Sequence, residues 1–208
     1  MTDAKREGVL FLVGTPIGNL EDITLRAIRV LKESDLVAAE DTRRARKLLS
    51  HLGIRVPLMS CHGHNERVRA EEVAELVAAG KKVALLSDAG MPGVSDPGHL
   101  VVEECVSRGL RVEVVPGPSS LTAALAVSGF PLSRFRFEGF LPRSAAARRS
   151  RLMELLRGGE PFVCFEAPHR ILEALEDLSE LAPHRKVVVA RELTKAHEEV
   201  LRGRADEV

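Results

Sequence analysis

Glycine and proline recur at three places where an apolar run stops. Gly14, Pro16 and Gly18 follow residues 9–13. Gly90, Pro92, Gly93, Pro97 and Gly98 follow residues 83–86, and Pro116, Gly117 and Pro118 follow residues 112–115. Tight glycine turns let a ligand approach the backbone closely, and ligands of open parallel sheets bind outside the carboxyl ends of the strands. One such loop reads as an ordinary connection; three in one half favour a shared ligand cleft. The first loop has Pro16 where a dinucleotide fingerprint needs its second glycine, and it lacks the Gly-Lys-Ser/Thr ending of a P-loop, so NAD and ATPase chemistry lose weight. Cys61-His62-Gly63-His64-Asn65 sets two histidines beside a thiol, but no motif supplies a fourth ligand. It reads as a loop before a helix, and no metal is expected. Glu192 and Lys195 stand three apart and could pair; taken alone, such a pair is an ordinary surface ion pair.

Arginines cluster twice. Residues 134–157 hold seven arginines against Glu138 and Glu154, densest at Arg143, Arg148, Arg149 and Arg151, and Arg43, Arg44, Arg46 and Lys47 form the second group. Facing one cleft, they would hold phosphates with strong salt dependence; most charge runs are solvated helix faces.

The elements that must position these residues follow from periodicity. Apolar runs at 9–13, 36–39, 83–86 and 112–115, with a weaker one at 56–60, alternate with helical patterns at 24–32, from Asp41 or Thr42 to Gly53, at 66–79 and at 97–108. Continuous rather than alternating runs imply strands covered on both faces, hence a mainly parallel sheet with helices on each side. The second half repeats the mixture: a helix from Ser119 to residue 128, a half-exposed strand at 134–138, a helix at 145–156, a strand at 162–165, a helix at 171–181 and a strand at 187–190. The expectation is a two-domain α/β protein, with an N-terminal α/β domain over residues 1–117 and a C-terminal α/β domain over 118–208.

Composition narrows the class. Hydrophobic residues are 45% and charged residues 29% of 208, which excludes a disordered chain. No apolar stretch approaches roughly eighteen residues, so no transmembrane helix is expected. The run at 9–13 is too short for a secretory signal. Three cysteines without metal-ligand spacing fit a cytoplasmic protein with reduced thiols. Thirty basic residues balance thirty acidic ones, which argues against bulk-electrostatic nucleic-acid binding. With seven Phe and neither Trp nor Tyr, many bases cannot be stacked on rings.

Several segments, in order, resemble one family. Gly14-Thr15-Pro16-Ile17-Gly18-Asn19-Leu20, Ala39-Glu40-Asp41-Thr42-Arg43 and Ser87-Asp88-Ala89-Gly90-Met91-Pro92 with Asp96-Pro97-Gly98 are similar to the first three motifs of the bacterial 16S ribosomal RNA (cytidine-2′-O-)-methyltransferase family. Met91 stands where Thr or Ser is commoner. Pro116-Gly117-Pro118-Ser119, Glu138-Gly139-Phe140-Leu141-Pro142, Glu166-Ala167-Pro168-His169-Arg170 and Ala190-Arg191-Glu192-Leu193-Thr194-Lys195 continue the match.

The resemblance implies the tetrapyrrole-methylase fold, with S-adenosylmethionine (SAM) in a cleft between two α/β domains. It implies Pro16, Asp88, Met91, Ser119, Ser120 and Phe165 as the SAM site, though Asp88 could equally cap its own glycine turn, Ser119 a helix, and Phe165 fill a core. The implied reaction passes a methyl group to a ribose hydroxyl of a cytidine in the small subunit's decoding region. The protein then aligns the acceptor and helps remove its proton. Candidate bases are Glu40, Asp41, His62, His64, Glu166, Glu192 and Lys195; the motifs favour Glu40, Asp41, Glu192 and Lys195. Arg43, Arg44, Arg143, Arg148, Arg149 and Arg151 are the expected RNA contacts, the partner is 16S rRNA within the small subunit, and a homodimer is expected. Family members usually continue past their counterpart of Val208, so a shortened C-terminal domain is expected. The competing readings are a tetrapyrrole or protein side-chain methyltransferase of the same fold, and a non-catalytic RNA-binding protein.

Overall fold

The structure, a computed structural model, describes residues 7–208. Backbone contacts divide it into two compact units that meet in sequence between Ser119 and Ser120. The first unit runs β1 (Val9–Val13), α1 (Leu25–Glu33), β2 (Leu36–Ala39), α2 (Thr42–His51), β3 (Leu58–Ser60), α3 (Glu66–Ala78), β4 (Lys82–Leu86), α4 (His99–Ser107) and β5 (Val112–Val115), with a single 3-10 turn at Leu20–Asp22. Its five strands form one parallel sheet in the order β3-β2-β4-β1-β5.

Alternate strand residues go to opposite faces. Val9, Phe11, Val13, Val37, Ala39, Ala84 and Leu86 pack with Ala27, Val30 and Leu31 of α1 and Ala45 and Leu49 of α2. Leu10, Ala38, Val83 and Leu85 pack with Val73 and Val77 of α3 and Val101 and Cys105 of α4. Both faces are therefore covered, which is why these strands are apolar throughout. The chain leaves β1 towards β2 along one face and leaves the neighbouring β4 towards β5 along the other. The carboxyl ends of β1 and β4 thus flank a topological switch point, where open sheets hold ligands.

The helix ends are set locally. Thr24 caps α1 by accepting the Ala27 amide, and Asp41 caps α2 by accepting the Arg43 amide. Gly98 precedes α4 without a capping side chain. The buried carboxylate of Glu66, at the start of α3, accepts the Gly98 amide at 2.7 Å and the Leu100 amide at 2.9 Å in its place.

The second unit contains α5 (Ser120–Ser128), β6 (Arg136–Phe140), α6 (Ala145–Arg157), β7 (Phe162–Phe165), α7 (Ile171–Leu181), β8 (Lys186–Arg191) and β9 (Glu199–Arg204). β6 and β7 pair in parallel, with an irregularity between Phe137 and Gly139; β8 and β9 form an antiparallel hairpin. Leu141, Leu152, Leu155, Ala174, Leu178 and Ala205 make its core. β9 was not expected from sequence. Among the described residues no helix is long and apolar enough to cross a membrane.

Candidate functional site

At the switch point the loops after β1, β4 and β5 are fastened to one another. The Thr15 amide donates to the Gly90 carbonyl at 2.9 Å, and the Gly90 amide donates back to the Thr15 carbonyl at 3.1 Å. The buried Thr15 hydroxyl adds a bond to the Gly90 carbonyl at 3.3 Å. On the other side Gly14 donates to the Val115 carbonyl at 3.0 Å. Gly14 and Gly117 touch through their backbones: a β carbon on Gly14 would lie 2.7 Å from the Gly117 Cα and 2.7 Å from the Met91 sulfur. Side chains have no room there, so this crossing requires glycine on both loops.

A carboxylate joins the end of β4 to the end of β2. Asp88 accepts the Asp41 amide at 3.0 Å and stands 3.5 Å from the Arg44 guanidinium. The two loops are thus latched by the Asp88 side chain on the Asp41 backbone. The turn beyond Asp88 is instead served by the Ser87 hydroxyl, which donates to the Gly90 carbonyl at 3.3 Å.

The latch concentrates negative charge. Burial raises the Glu40 carboxyl above its ordinary value, and the charges of Asp88 and Asp96 raise it further, against the Asp88 amide. Burial likewise raises Asp96, with Asp88 adding to it and a Ser87 hydrogen bond opposing. Like charges in one partly desolvated place disfavour ionisation. Such an edge can receive hydroxyl hydrogen bonds and attract a cationic ligand, and Glu40 is suited to hold a proton. Asp96 was passed over as a site residue in the sequence, although its motif was recognised.

Asp41 has another employment. It caps α2 and also accepts from the Arg43 side chain at 3.1 and 2.9 Å. These hydrogen bonds hold its carboxyl down to about 2, which makes it a poor proton acceptor at neutral pH. Pro16 and Met91 lie half-buried on the same loops. In the loop after β3, Asn65 accepts the His62 amide at 2.8 Å and the two imidazoles sit 6.0 Å apart, edge to face. Burial pushes the Cys61 thiol up to about 11. Among the described residues no group of three His, Cys, Asp or Glu side chains is placed to hold a metal.

In the second unit much of the arginine cluster is paired with carboxylates. Arg148 is 3% exposed and donates to Asp177 at 2.7 Å and Glu173 at 3.1 Å. Arg149 pairs with Asp177 and Glu180 at 2.8 and 2.6 Å, and Arg151 holds Glu138 through two bonds of 2.5 and 2.8 Å. Carboxylates of α7 and β6 already occupy the guanidinium groups of all three, and burial takes Arg148 out of reach of the RNA contact expected of it, whereas Arg149 and Arg151 stay partly exposed. Arg143 is exposed and carries no ion pair among the described residues. Glu166 is also committed. It accepts the Ala167 amide at 2.8 Å and pairs with Arg170 at 3.2 Å, while Arg170 also bonds the Leu141 and Pro142 carbonyls. Phe165 packs edge-on to Phe137 at 5.2 Å and tilted to Phe140 at 5.7 Å. Ser120 opens α5.

Glu192 and Lys195 sit on the turn between β8 and β9, joined at 2.9 Å with both side chains about half exposed. Glu192 and Thr194 adopt positive φ of 52° and 67°. Such left-handed non-glycine residues cost energy and concentrate at functional turns.

Comparison with known proteins gives the same family along the chain. The sequence profile of the Tetrapyrrole (Corrin/Porphyrin) Methylases matches residues 9–208. A relative from Thermotoga maritima named Ribosomal RNA small subunit methyltransferase I is 52% identical over 200 residues, covering 96% of this chain and 90% of the relative. A protein of the same name from Pseudomonas aeruginosa is 50% identical, covering 93% of this chain and 69% of its own. Among solved structures, diphthine synthase superposes with a TM-score of 0.75 at 19% identity, covering 96% of this chain and 82% of its own. The methyltransferase CobJ superposes at 0.72 and 20% identity, covering 97% and 88%. At those identities the structures speak for the fold alone.

Proposed function

The chain belongs to the tetrapyrrole methylase family, and from that premise we propose that it is a SAM-dependent methyltransferase of 16S ribosomal RNA in the small subunit, acting on the 2′-hydroxyl of a cytidine. The substrate assignment rests on relatives such as the one 52% identical along nearly the whole chain that bears the small-subunit methyltransferase name.

The residues at the switch point fit the cofactor by their chemistry. Glu40, Asp88 and Asp96 leave an excess of negative charge that the exposed Arg43 and Arg44 oppose only in part, and a ligand bearing sulfonium and ammonium groups relieves it. Carboxylate oxygens also accept from ribose hydroxyls. Pro16 and Met91 offer apolar surface on the same loops. These residues and Asp88 would hold SAM, with Ser119, Ser120 and Phe165 included from the family pattern. When bound, SAM supplies an activated methyl group.

The chain's own task is to orient the ribose and take its proton. Glu40 is the proposed base, because its raised carboxyl lies closer to working pH than the Asp41 carboxyl at about 2. Asp41 positions α2 and, through its amide, Asp88. Glu40 would take the proton of the 2′-hydroxyl as that oxygen gains the methyl carbon, the sulfur–methyl bond breaking so that the donor leaves as a neutral thioether. Glu192 and Lys195 are proposed to hold the RNA ribose-phosphate from the β8–β9 turn, and Arg43, Arg44 and Arg143 to contact phosphates. The enzyme is proposed to work in the cytoplasm as a homodimer, which light scattering on the purified chain tests.

Calorimetric titration of SAM into the 208-residue chain tests the cofactor assignment. Binding in the micromolar range is expected. A folded chain that takes up no SAM would remove the assignment.

A further inference from the structure

We propose that the outer face of α2, carried on by Arg55, is a docking surface for the phosphodiester backbone of RNA. The inference rests on the RNA-methyltransferase reading above and extends it to a surface outside the proposed catalytic residues.

Residues 42–65 contain no acidic side chain, but hold Arg43, Arg44, Arg46, Lys47, Arg55 and three histidines. The periodicity of α2 sorts them. Ala45, Leu48 and Leu49 are buried against the sheet, whereas Arg43, Arg44, Arg46, Lys47, Ser50 and His51 are exposed. Every exposed position of this helix after its first residue is therefore cationic, a hydroxyl or an imidazole. Arg43, Lys47 and His51 follow at intervals of four, one face of the helix, spaced about 6 Å apart along the axis.

At its amino end Arg43 and Arg44 pair with Asp41 and Asp88; what marks the rest of this face is several neighbouring cations without an acidic partner. Many arginines elsewhere find carboxylates: Arg26 with Glu113, Arg108 with Glu104, Arg148 and Arg149 with Asp177, Arg151 with Glu138, Arg191 with Glu199 and Arg204 with Asp206. Arg46, Lys47 and Arg55 have no ion pair among the described residues. In a chain of zero net charge, this leaves a local field that intramolecular carboxylates do not cancel.

The location suits a nucleic-acid substrate. The amino end of α2 is Asp41, whose amide binds Asp88, so the cationic face begins at the proposed site. It continues for about 15 Å along the helix. Phosphates held there would set the register of the strand without reading its bases. The face carries no large exposed apolar side chain, since none occurs between Leu25 and Val68; this disfavours a membrane-inserting role.

The test uses the full chain and small ribosomal subunits isolated from cells lacking this methylation. Equilibrium binding is measured from low to moderate salt for the unsubstituted protein, for R46Q/K47Q/R55Q and for R46K/R55K. The triple variant should bind subunits at least about tenfold more weakly, with its log–log salt slope lower by roughly one for each lost phosphate contact. The lysine variant should retain the slope, and SAM affinity should be unchanged in both. An R46E/K47E variant should bind more weakly still. Unchanged subunit affinity and slope in the triple variant, with circular dichroism showing intact helix, overturns the proposal. So does a loss of affinity for phosphatidylserine vesicles with none for subunits. Because the readout is binding, its loss in the variants supports the surface even if the unsubstituted chain transfers no methyl group. That latter failure falls on the catalytic reading alone.

Discussion

Replacing Asp88 with Ala removes the carboxylate that ties the end of β4 to the end of β2. The Asp41 amide loses a charged acceptor at 3.0 Å, a class of bond that contributes about 1.5–3 kcal/mol when made. The Arg44 pair at 3.5 Å adds little, because that arginine is 66% exposed and water screens it. Two effects pull the other way. Asp88 is 26% exposed, so water reaches the abandoned amide, and the repulsion it exerts on Glu40 and Asp96 disappears. The net expectation is a loss of about 1–2 kcal/mol, which for a chain of this size lowers the melting temperature by roughly 2–8 °C. SAM affinity should fall with it, since the variant also loses a proposed ligand. Scanning calorimetry with and without SAM makes both measurements. A melting temperature within a degree of the unsubstituted protein, with SAM affinity intact, would refute the reasoning that the latch is made by this carboxylate.

Three further outcomes follow from the geometry. Gly117→Ala places a β carbon 2.9 Å from the Gly14 Cα and its carbonyl oxygen; backbone cannot yield easily, so urea unfolding should show a loss of about 1–3 kcal/mol along with weakened SAM binding. Arg148→Ala leaves the buried Asp177 with Arg149 alone and should cost roughly 3 kcal/mol in the same assay, while the salt slope of RNA binding stays unchanged because Arg148 does not face solvent. Glu40 and Asp96 have folded values above their unfolded ones, so the stability they contribute is full below about pH 4 and is lost as pH rises through the raised values. Asp88→Asn, which removes a repelling charge, should shift both titrations downward by carbonyl-detected NMR and shrink that loss.

The first unit was the more legible in sequence, for physical reasons. Residues 9–13, 36–39 and 83–86 are covered on both faces, so they read as unbroken apolar runs, and Gly53, Gly80 and Gly109 stop the helices with positive φ. β9 escaped because Glu199–Arg204 carries three charges and a glycine; what makes it a strand is pairing with β8. The site was legible as loops but not as bonds. A carboxylate next to a glycine turn reads as a cap for that turn, yet Asp88 binds an amide 47 residues away. The same blindness to long-range partners made α6 read as a cationic face. A window over residues 134–157 counts its arginines but not the acids of α7 that neutralise them 25–31 residues later. Glu66 looks like an ordinary first-turn glutamate of α3, and only the fold shows it capping α4.

The proposed activity is methyl transfer to a ribose hydroxyl of small-subunit RNA. The most direct measurement is nucleoside mass spectrometry of small subunits lacking this methylation, after incubation with the chain and SAM. One new 2′-O-methylcytidine per subunit is expected, abolished or strongly reduced by Glu40→Gln. A methyl group on a base, or none on RNA from a chain that binds both SAM and subunits, would contradict it.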